Sequence, residues 1–165
     1  MRIALVVLGA LAAIVVTIVA VGYALPVEHQ AVREGRFRQP PAEIFAVITD
    51  EKTFPAWRPS VEKVETLPDS AGRKRFRETG SDGAILYEVA ESVPAKRLVT
   101  RIADPSLPFG GTWSFELIPD GDGTIVRITE NGEVYNPVFR FVSRFVMGHT
   151  STLDRYLRDL ANRLR

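Results

Sequence analysis

The chain has 165 residues, enough for one domain with a sizeable hydrophobic core. Its 21 lysines and arginines balance 20 aspartates and glutamates, so the chain offers no extended positive field and nucleic-acid binding is not expected. It has no cysteine and only two histidines, which excludes disulfides and thiol chemistry, and we predict neither a metal site nor a cofactor.

The N-terminal segment from Ile3 to Leu25 contains no charged residue. At about 1.5 Å per helical residue it would reach roughly 35 Å, enough to span a bilayer. A cleaved signal peptide is the competing interpretation, because Arg2 gives a short positive start and residues 22–24 are a small-x-small triplet. The run exceeds the roughly 7 to 15 residues of a signal core. We therefore expect residues 1–26 to be a single-pass membrane anchor, with the side of the membrane left open.

The remaining residues, 27–165, are predicted to form one domain. Pro26 ends the anchor, and the polar segment 27–35 is either a linker or the first strand. The sequence "QPPAEIFAVITDEKTFPAWRP" then predicts two short helices, because tandem proline is typical of a helix start. Asp50 is a candidate cap for the second helix, and Pro55 is expected to limit it.

From Val61 to Tyr135 the apolar residues recur with period two, and turn sequences separate the runs. This pattern predicts antiparallel strands near 61–67, 73–79, 84–92, 97–103, 111–118 and 124–135. The sequence "PDGDG" lies between the last two strands, which we expect to form a long hairpin with one apolar face.

Asn136 and Pro137 supply an N-cap and a first-turn proline, and the chain is predicted to be helical from there to near Arg165. On a helical wheel one broad apolar stripe should face the sheet. Its members are Val138, Val142, Phe145, Val146, His149, Leu153, Tyr156, Leu157, Leu160 and Leu164.

Gly148 falls inside this predicted helix, where glycine costs about 1 kcal/mol relative to alanine, so it should mark a bend or a close approach. Phe139, Phe141 and Met147 lie at the margins of the stripe or outside it. We expect these three residues to form an apolar edge for ligand entry or for membrane contact.

This order of elements resembles the START and Bet v 1-like (SRPBCC) superfamily, in particular its polyketide cyclase/dehydrase and lipid-transport branch. The resemblance covers residues 30–164 and is carried by "PPAEIFAVITD", "FPAWRPSVEKVE", "LPFGGTWSFELIPDGDGTIVRITENGEV", "NPVFRFVSRF" and "TLDRYLRDL". It implies an α+β helix-grip fold, in which a curved antiparallel sheet of about seven strands wraps around a long C-terminal helix. It also implies a cavity between sheet and helix for lipids, sterols, polyketides or other apolar molecules.

Glu130 is the most informative charged residue, because it continues the line of Val126 and Ile128 on the expected inward face. A carboxylate that faces an apolar cavity has a raised pKa and can act as an acid or a base. A bulge near Gly132 that turns Glu130 outward, or an arginine partner, is the competing interpretation.

His149 lies near the centre of the apolar stripe, either as a buried packing residue or as a ligand contact. Glu130 and His149 are therefore the candidate catalytic acid and base, and both are candidate ligand contacts. The other candidate ligand-binding residues are Glu78, Tyr87, Phe109, Trp113 and Phe145. Glu78 and Tyr87 point inward only if the strand register is as predicted.

Three further segments have a simpler structural interpretation. Trp57 and Trp113 are expected chiefly to pack in the core. "LPFGG", residues 107–111, is a candidate lid over the cavity, because proline and glycine permit a tight, movable turn. "RKRFRE", residues 73–78, is expected to be the solvent face of a strand.

The sequence leaves three functions open. The first is a membrane-tethered module that binds or transfers a hydrophobic small molecule or lipid. The second is a cyclase or dehydratase that uses a cavity carboxylate and a histidine. The third is a structural or partner-binding domain with a filled core. The oligomeric state is not indicated by any pattern.

Overall fold

The structure is a computed structural model that describes residues 2–81, 83–148 and 150–165. Its helices are α1 (Arg2–Ala24), α2 (Pro41–Thr49), α3 (Phe54–Trp57), α4 (Pro137–Val142) and α5 (Ser151–Arg163), with a 3-10 turn at Glu51–Thr53 and a π-helical turn at Ser143–Met147. Its strands are β1 (Glu28–Phe37), β2 (Val61–Ser70), β3 (Arg73–Gly80), β4 (Gly83–Val93), β5 (Arg97–Ile102), β6 (Phe109–Asp120) and β7 (Gly123–Val134).

The seven strands form one antiparallel sheet in the order β1-β7-β6-β5-β4-β3-β2. The predicted α+β helix-grip fold is thus confirmed, and the six strands predicted from the alternating pattern are all present. The polar segment 27–35 belongs mostly to the first strand, since β1 pairs with β7 over its whole length, from Glu28 to Phe37. The core lies between the inner face of this sheet and α5, where Leu153, Tyr156 and Leu160 are buried.

The two short helices after β1 are also confirmed, with two differences in detail. Ile44 and Ile48 of α2 are buried, as an amphipathic helix requires. Asp50 makes no side-chain capping bond. Pro55 lies in the first turn of α3 and does not end it, a position where its missing N–H costs no helical hydrogen bond.

The C-terminal helix is not continuous, and in this respect the prediction was wrong. Asn136 caps α4 as expected, accepting hydrogen bonds from the amides of Val138 at 2.9 Å and Phe139 at 3.2 Å. The helix then passes into the π-helical turn and stops at Gly148, whose φ is +73°. Glycine adopts this left-handed backbone region without a steric penalty, so the bend expected at Gly148 is a complete interruption before α5.

The interruption divides the predicted apolar stripe into two parts. Leu153 and Leu160, after the break, are fully buried against the sheet. Val138 in α4, and Phe145 and Val146 in the π-helical turn, are exposed, and α4 packs chiefly against α1. The prediction that these three residues face the sheet is therefore wrong.

The N-terminal segment forms the long apolar helix α1. Within the described residues it is the one helix that is long and apolar enough to cross a membrane. Such a helix near an N-terminus is a candidate membrane anchor or signal sequence. The last two turns of α1 lie beside α4, and Gly22 is buried there.

Candidate ligand-binding cavity

A cavity of about 640 Å³ lies between the inner face of the sheet and α5. Pockets for small molecules range from about 300 to 1,000 Å³, so the space matches a ligand site. The hypothesis of a purely structural domain requires a core filled by the aromatic side chains. The cavity shows that these side chains leave the interior partly open.

Alternate side chains of a strand share one face, and the strands line the cavity mainly in this way, apart from the consecutive runs 108–113 and 130–134. The inward series is Phe76 and Glu78 on β3, Ile85, Tyr87 and Val89 on β4, Leu98, Thr100 and Ile102 on β5, Trp113 and Phe115 on β6, and Glu130 and Val134 on β7. The predicted register therefore places Glu78, Tyr87, Trp113 and Glu130 correctly at the cavity.

Aromatic rings form one wall of the cavity. Tyr87 stacks on Phe76, with ring centroids 5.4 Å apart. Trp113 meets Tyr156 edge to face at 5.8 Å and so packs in the core while it lines the cavity. Burial raises the pKa of the Tyr156 hydroxyl far above its ordinary value, so this side chain is neutral at physiological pH.

Glu78 faces the cavity but is bound to Arg58. Its carboxylate accepts a hydrogen bond from the Arg58 guanidinium at 2.8 Å, and the two side chains are only 12% and 16% exposed. The guanidinium also lies over the rings of Phe54 and Tyr156, at 4.9 and 5.1 Å from their centroids. Burial by itself would lower the pKa of Arg58, but Glu78 and Tyr156 outweigh it and raise that pKa.

A second ion pair joins Lys74 to the buried Glu51, with 2.5 Å between Nζ and Oε2, and both residues line the cavity. Lys74 and Glu78 share the inward face with Phe76, whereas Arg73 bonds Glu88 across the outer face. The segment 73–78 is therefore a solvent face only at its alternate positions, which corrects the prediction for the whole segment.

Glu130 lies at the cavity, in the inward orientation that the β7 pattern predicts. The pairing of β7 with β6 runs without a shift through Glu130 and Trp113, so no bulge turns the carboxylate outward. Burial raises the pKa of the Glu130 carboxyl, and nearby donors on Trp113 and Thr152 offset part of the rise. Among the described residues, no group meets hydrogen-bond geometry with the buried Oε2.

His29 is the functional candidate that sequence reasoning missed. It lines the cavity from β1, and its Nε2 lies 3.7 Å from Oε1 of Glu130. It pairs opposite Gly132, and a side chain there would collide with the imidazole. His29 is two residues before the buried Ala31, and this alternation could have indicated that His29 points inward. No local pattern in the sequence indicates that β1 pairs with β7, which is what places His29 beside Glu130.

Three other predicted residues have different outcomes. His149 lies outside the described residues. Phe109 lines the cavity, but as the first residue of β6 and not in a lid, since 109–111 pair with β7. Phe145 lies outside the cavity lining, with its ring 4.9 Å from that of Phe141. Phe139, from the expected apolar edge, lines the mouth.

The raised pKa of Glu130 predicts a pH dependence of stability. The folded state holds the Glu130 proton more tightly than the unfolded state, so the contribution of this group is full at low pH. It is lost as pH rises from the unfolded value of about 4.3 through the raised folded value.

Glu130→Gln stays neutral and should abolish that loss. We expect the free energy of unfolding of the full chain in detergent to fall less with rising pH for Glu130→Gln than for the wild type. Urea titrations from pH 4 to 8 measure this difference. Parallel pH profiles of the two proteins would show that Glu130 is not desolvated in the folded state.

Solved structures of several proteins share this fold. A START superfamily protein from Mycobacterium smegmatis aligns with a TM-score of 0.66 and 18% identity over 82% of this chain and 97% of that one. Norcoclaurine synthase from Thalictrum flavum aligns with a TM-score of 0.66 and 13% identity, over 86% and 89% of the two chains. The Zhui aromatase/cyclase from Streptomyces sp. R1128 gives 0.62 and 14%, over 84% and 96%.

At these identities the likeness shows a common fold, and fold alone does not determine activity. A comparison with curated proteins found no match. A family model described as polyketide cyclase / dehydrase and lipid transport matches residues 29–165, which include α5 and the whole sheet except the first residue of β1. The chain therefore belongs to the polyketide cyclase / dehydrase and lipid transport family.

Proposed function

We propose that this protein is a membrane-tethered module that binds or transfers a hydrophobic small molecule or lipid. The observation that carries the proposal is the cavity of about 640 Å³ between the sheet and α5. Most of the surface of its wall is apolar, and transfer of an apolar surface from water to such a wall is favourable by roughly 25 cal/mol per Å². The helix α1 provides the tether.

Two cationic side chains at the cavity already have anionic partners, which favours a ligand that is not an anion. Arg58 is paired with Glu78, and Lys74 is paired with Glu51. The buried pair of Arg58 and Glu78 resists the loss of either partner, because the remaining charge would be uncompensated. Glu130 in its protonated form is a hydrogen-bond donor. A mainly apolar molecule with one carbonyl or hydroxyl acceptor would fit this arrangement.

Filling the cavity should abolish ligand binding. Thr100 points into the cavity from the central strand β5, and Thr100→Phe would place a ring in the space that the ligand needs. We expect the affinity of the full chain for a fluorescent fatty acyl probe to fall by more than about tenfold, which corresponds to about 1.4 kcal/mol.

Thr129→Phe is the matched control, because Thr129 lies on the outer face of the neighbouring strand β7, between the inward Ile128 and Glu130. This variant should bind the probe as the wild type does, and circular dichroism should show that both variants are folded. Equal affinities in the wild type and both variants would mean that the cavity does not hold the probe.

A second candidate function is a dehydratase-type or cyclase-type enzyme, and the pairing of His29 with Glu130 favours it. Protonated Glu130 would donate its proton to a departing hydroxyl, while neutral His29 takes the proton of the adjacent carbon. The C–H electrons then form the double bond, and water leaves without any redox step. An apolar compound retained by the wild type should then differ by one water from that retained by Glu130→Gln, as mass spectrometry would detect. The same compound in both proteins contradicts this second function.

A further inference from the structure

The helix α1 is docked to the domain through α4. Gly22 of α1 is buried against the backbone of Pro137, where any side chain would collide with the Pro137 carbonyl. Ile18, Val19, Val21 and Leu25 are partly covered, whereas the earlier turns of α1 are exposed. The contact is therefore confined to the last two turns of α1.

Arg140 of α4 also contacts the C-terminal end of α1. Its guanidinium donates a hydrogen bond to the carbonyl of Leu25 at 2.8 Å, and it lies 5.9 Å from the centroid of the Tyr23 ring. A cation at a helix C-terminus satisfies a free carbonyl and interacts favourably with the helix dipole. The Arg140 side chain is itself buried, so it fixes the orientation of α1 relative to α4.

This contact determines how deep α4 lies when α1 crosses a bilayer. The covered part of the N-terminal segment, from Ile18 in α1 to Leu25 just after it, is about 10 Å long at 1.5 Å per residue. A 23-residue helix is about as long as the hydrocarbon core is thick, so its end lies at the interface. The segment 137–147 consequently lies within about 10 Å of the membrane surface, the depth range of interfacial helices.

The same segment exposes large apolar side chains. Val138, Phe139, Phe145 and Val146 are 42%, 54%, 60% and 73% exposed. These four residues lie within positions 138–146, and a contiguous exposed apolar patch marks an interaction site. Its position beside the end of α1 makes a lipid bilayer the occupant that geometry favours.

The segment also borders the cavity, since Phe139 and Ser143 belong to the cavity lining. We infer that residues 137–147 are an interfacial membrane-binding segment that holds the mouth of the cavity against the bilayer. An apolar molecule then moves between the lipid and the cavity without crossing water. This inference rests on the membrane anchorage that is part of the proposed function.

Site-specific fluorescence quenching tests the inference. The chain has no cysteine, so single-cysteine variants of the full chain can be labelled selectively with an environment-sensitive dye. In vesicles that contain a doxyl-labelled phospholipid, the dye on Phe145→Cys or Phe139→Cys should be quenched strongly.

Two variants serve as references. Ile14→Cys lies in the middle of α1 and reports whether the anchor is inserted. Val93→Cys replaces a residue that is also exposed. Val93 pairs with Arg97, and Arg97 pairs with Glu116 on β6. Glu116 is seven strand residues, or about 23 Å, from Phe109 at the other end of β6, so Val93 is far from the mouth. Quenching at 139 and 145 should approach that at 14 and exceed that at 93 several-fold.

The outcomes separate the inference from the proposed function. Strong quenching at 14 together with weak, equal quenching at 145 and 93 overturns the inference but leaves the anchor intact. Weak quenching at 14 overturns both. Protection of 145 from aqueous iodide without quenching by lipid would identify a protein partner or a second copy as the occupant, and would also overturn the inference.

Discussion

Replacing Arg58 by methionine is expected to lower the free energy of unfolding by about 3–5 kcal/mol, because it leaves the Glu78 carboxylate buried without its partner. Both side chains are largely removed from solvent, and the guanidinium also contacts Phe54 and Tyr156. Urea unfolding of the full chain in detergent, followed by tryptophan fluorescence, measures the loss.

A surface ion pair provides the matched control. Arg127 bonds Glu34 at 2.6 Å, but the two side chains are 42% and 46% exposed, so Arg127→Met should cost far less than Arg58→Met. The double variant Arg58→Met/Glu78→Met removes both charges and should recover most of the stability. If Arg58→Met and Arg127→Met cost the same, the pair at the cavity contributes no more than a surface pair.

Leu160→Ala is expected to cost about 2–5 kcal/mol, because it removes a fully buried side chain from the contact between α5 and the sheet. Leu157→Ala on the same helix is the control, since Leu157 is only partly buried beside the core. Its cost should be clearly smaller. An equal cost at the two positions would mean that α5 is not held to the sheet through its Leu153–Leu160 face.

The sheet and the inward position of Glu130 could be predicted because both depend on a local pattern. Period-two alternation through Val126, Ile128 and Glu130 determines which side chains share a face, whatever the rest of the chain does. The same reasoning places Tyr87 correctly beside Val89 at the cavity.

The errors concern interactions between segments that are distant in the sequence. A glycine at position 148 is compatible with a bent helix and with a complete break. The sequence does not distinguish the two, and the positive φ of Gly148 in the structure shows that the helix breaks. Phe145 fits an apolar stripe on a wheel, but it is exposed in the π-helical turn after α4, and α4 packs chiefly against α1. His29 approaches Glu130 because β1 pairs with β7, roughly a hundred residues away in the sequence.

The family membership supports ligand binding or chemistry of the cyclase/dehydrase type in general, and the structure adds a candidate site. The two candidates share one cavity, and they differ in what Glu130 and His29 do with its contents. Occupancy of the cavity is therefore the claim on which both depend.

The most direct measurement is mass spectrometry of the compounds that the full-length protein retains after gentle detergent extraction. The wild type and Thr129→Phe should retain the same apolar compound in near-stoichiometric amount, and Thr100→Phe should retain little or none. No retained compound in any of the three proteins, or equal amounts in all three, would contradict the account of the cavity as a binding site.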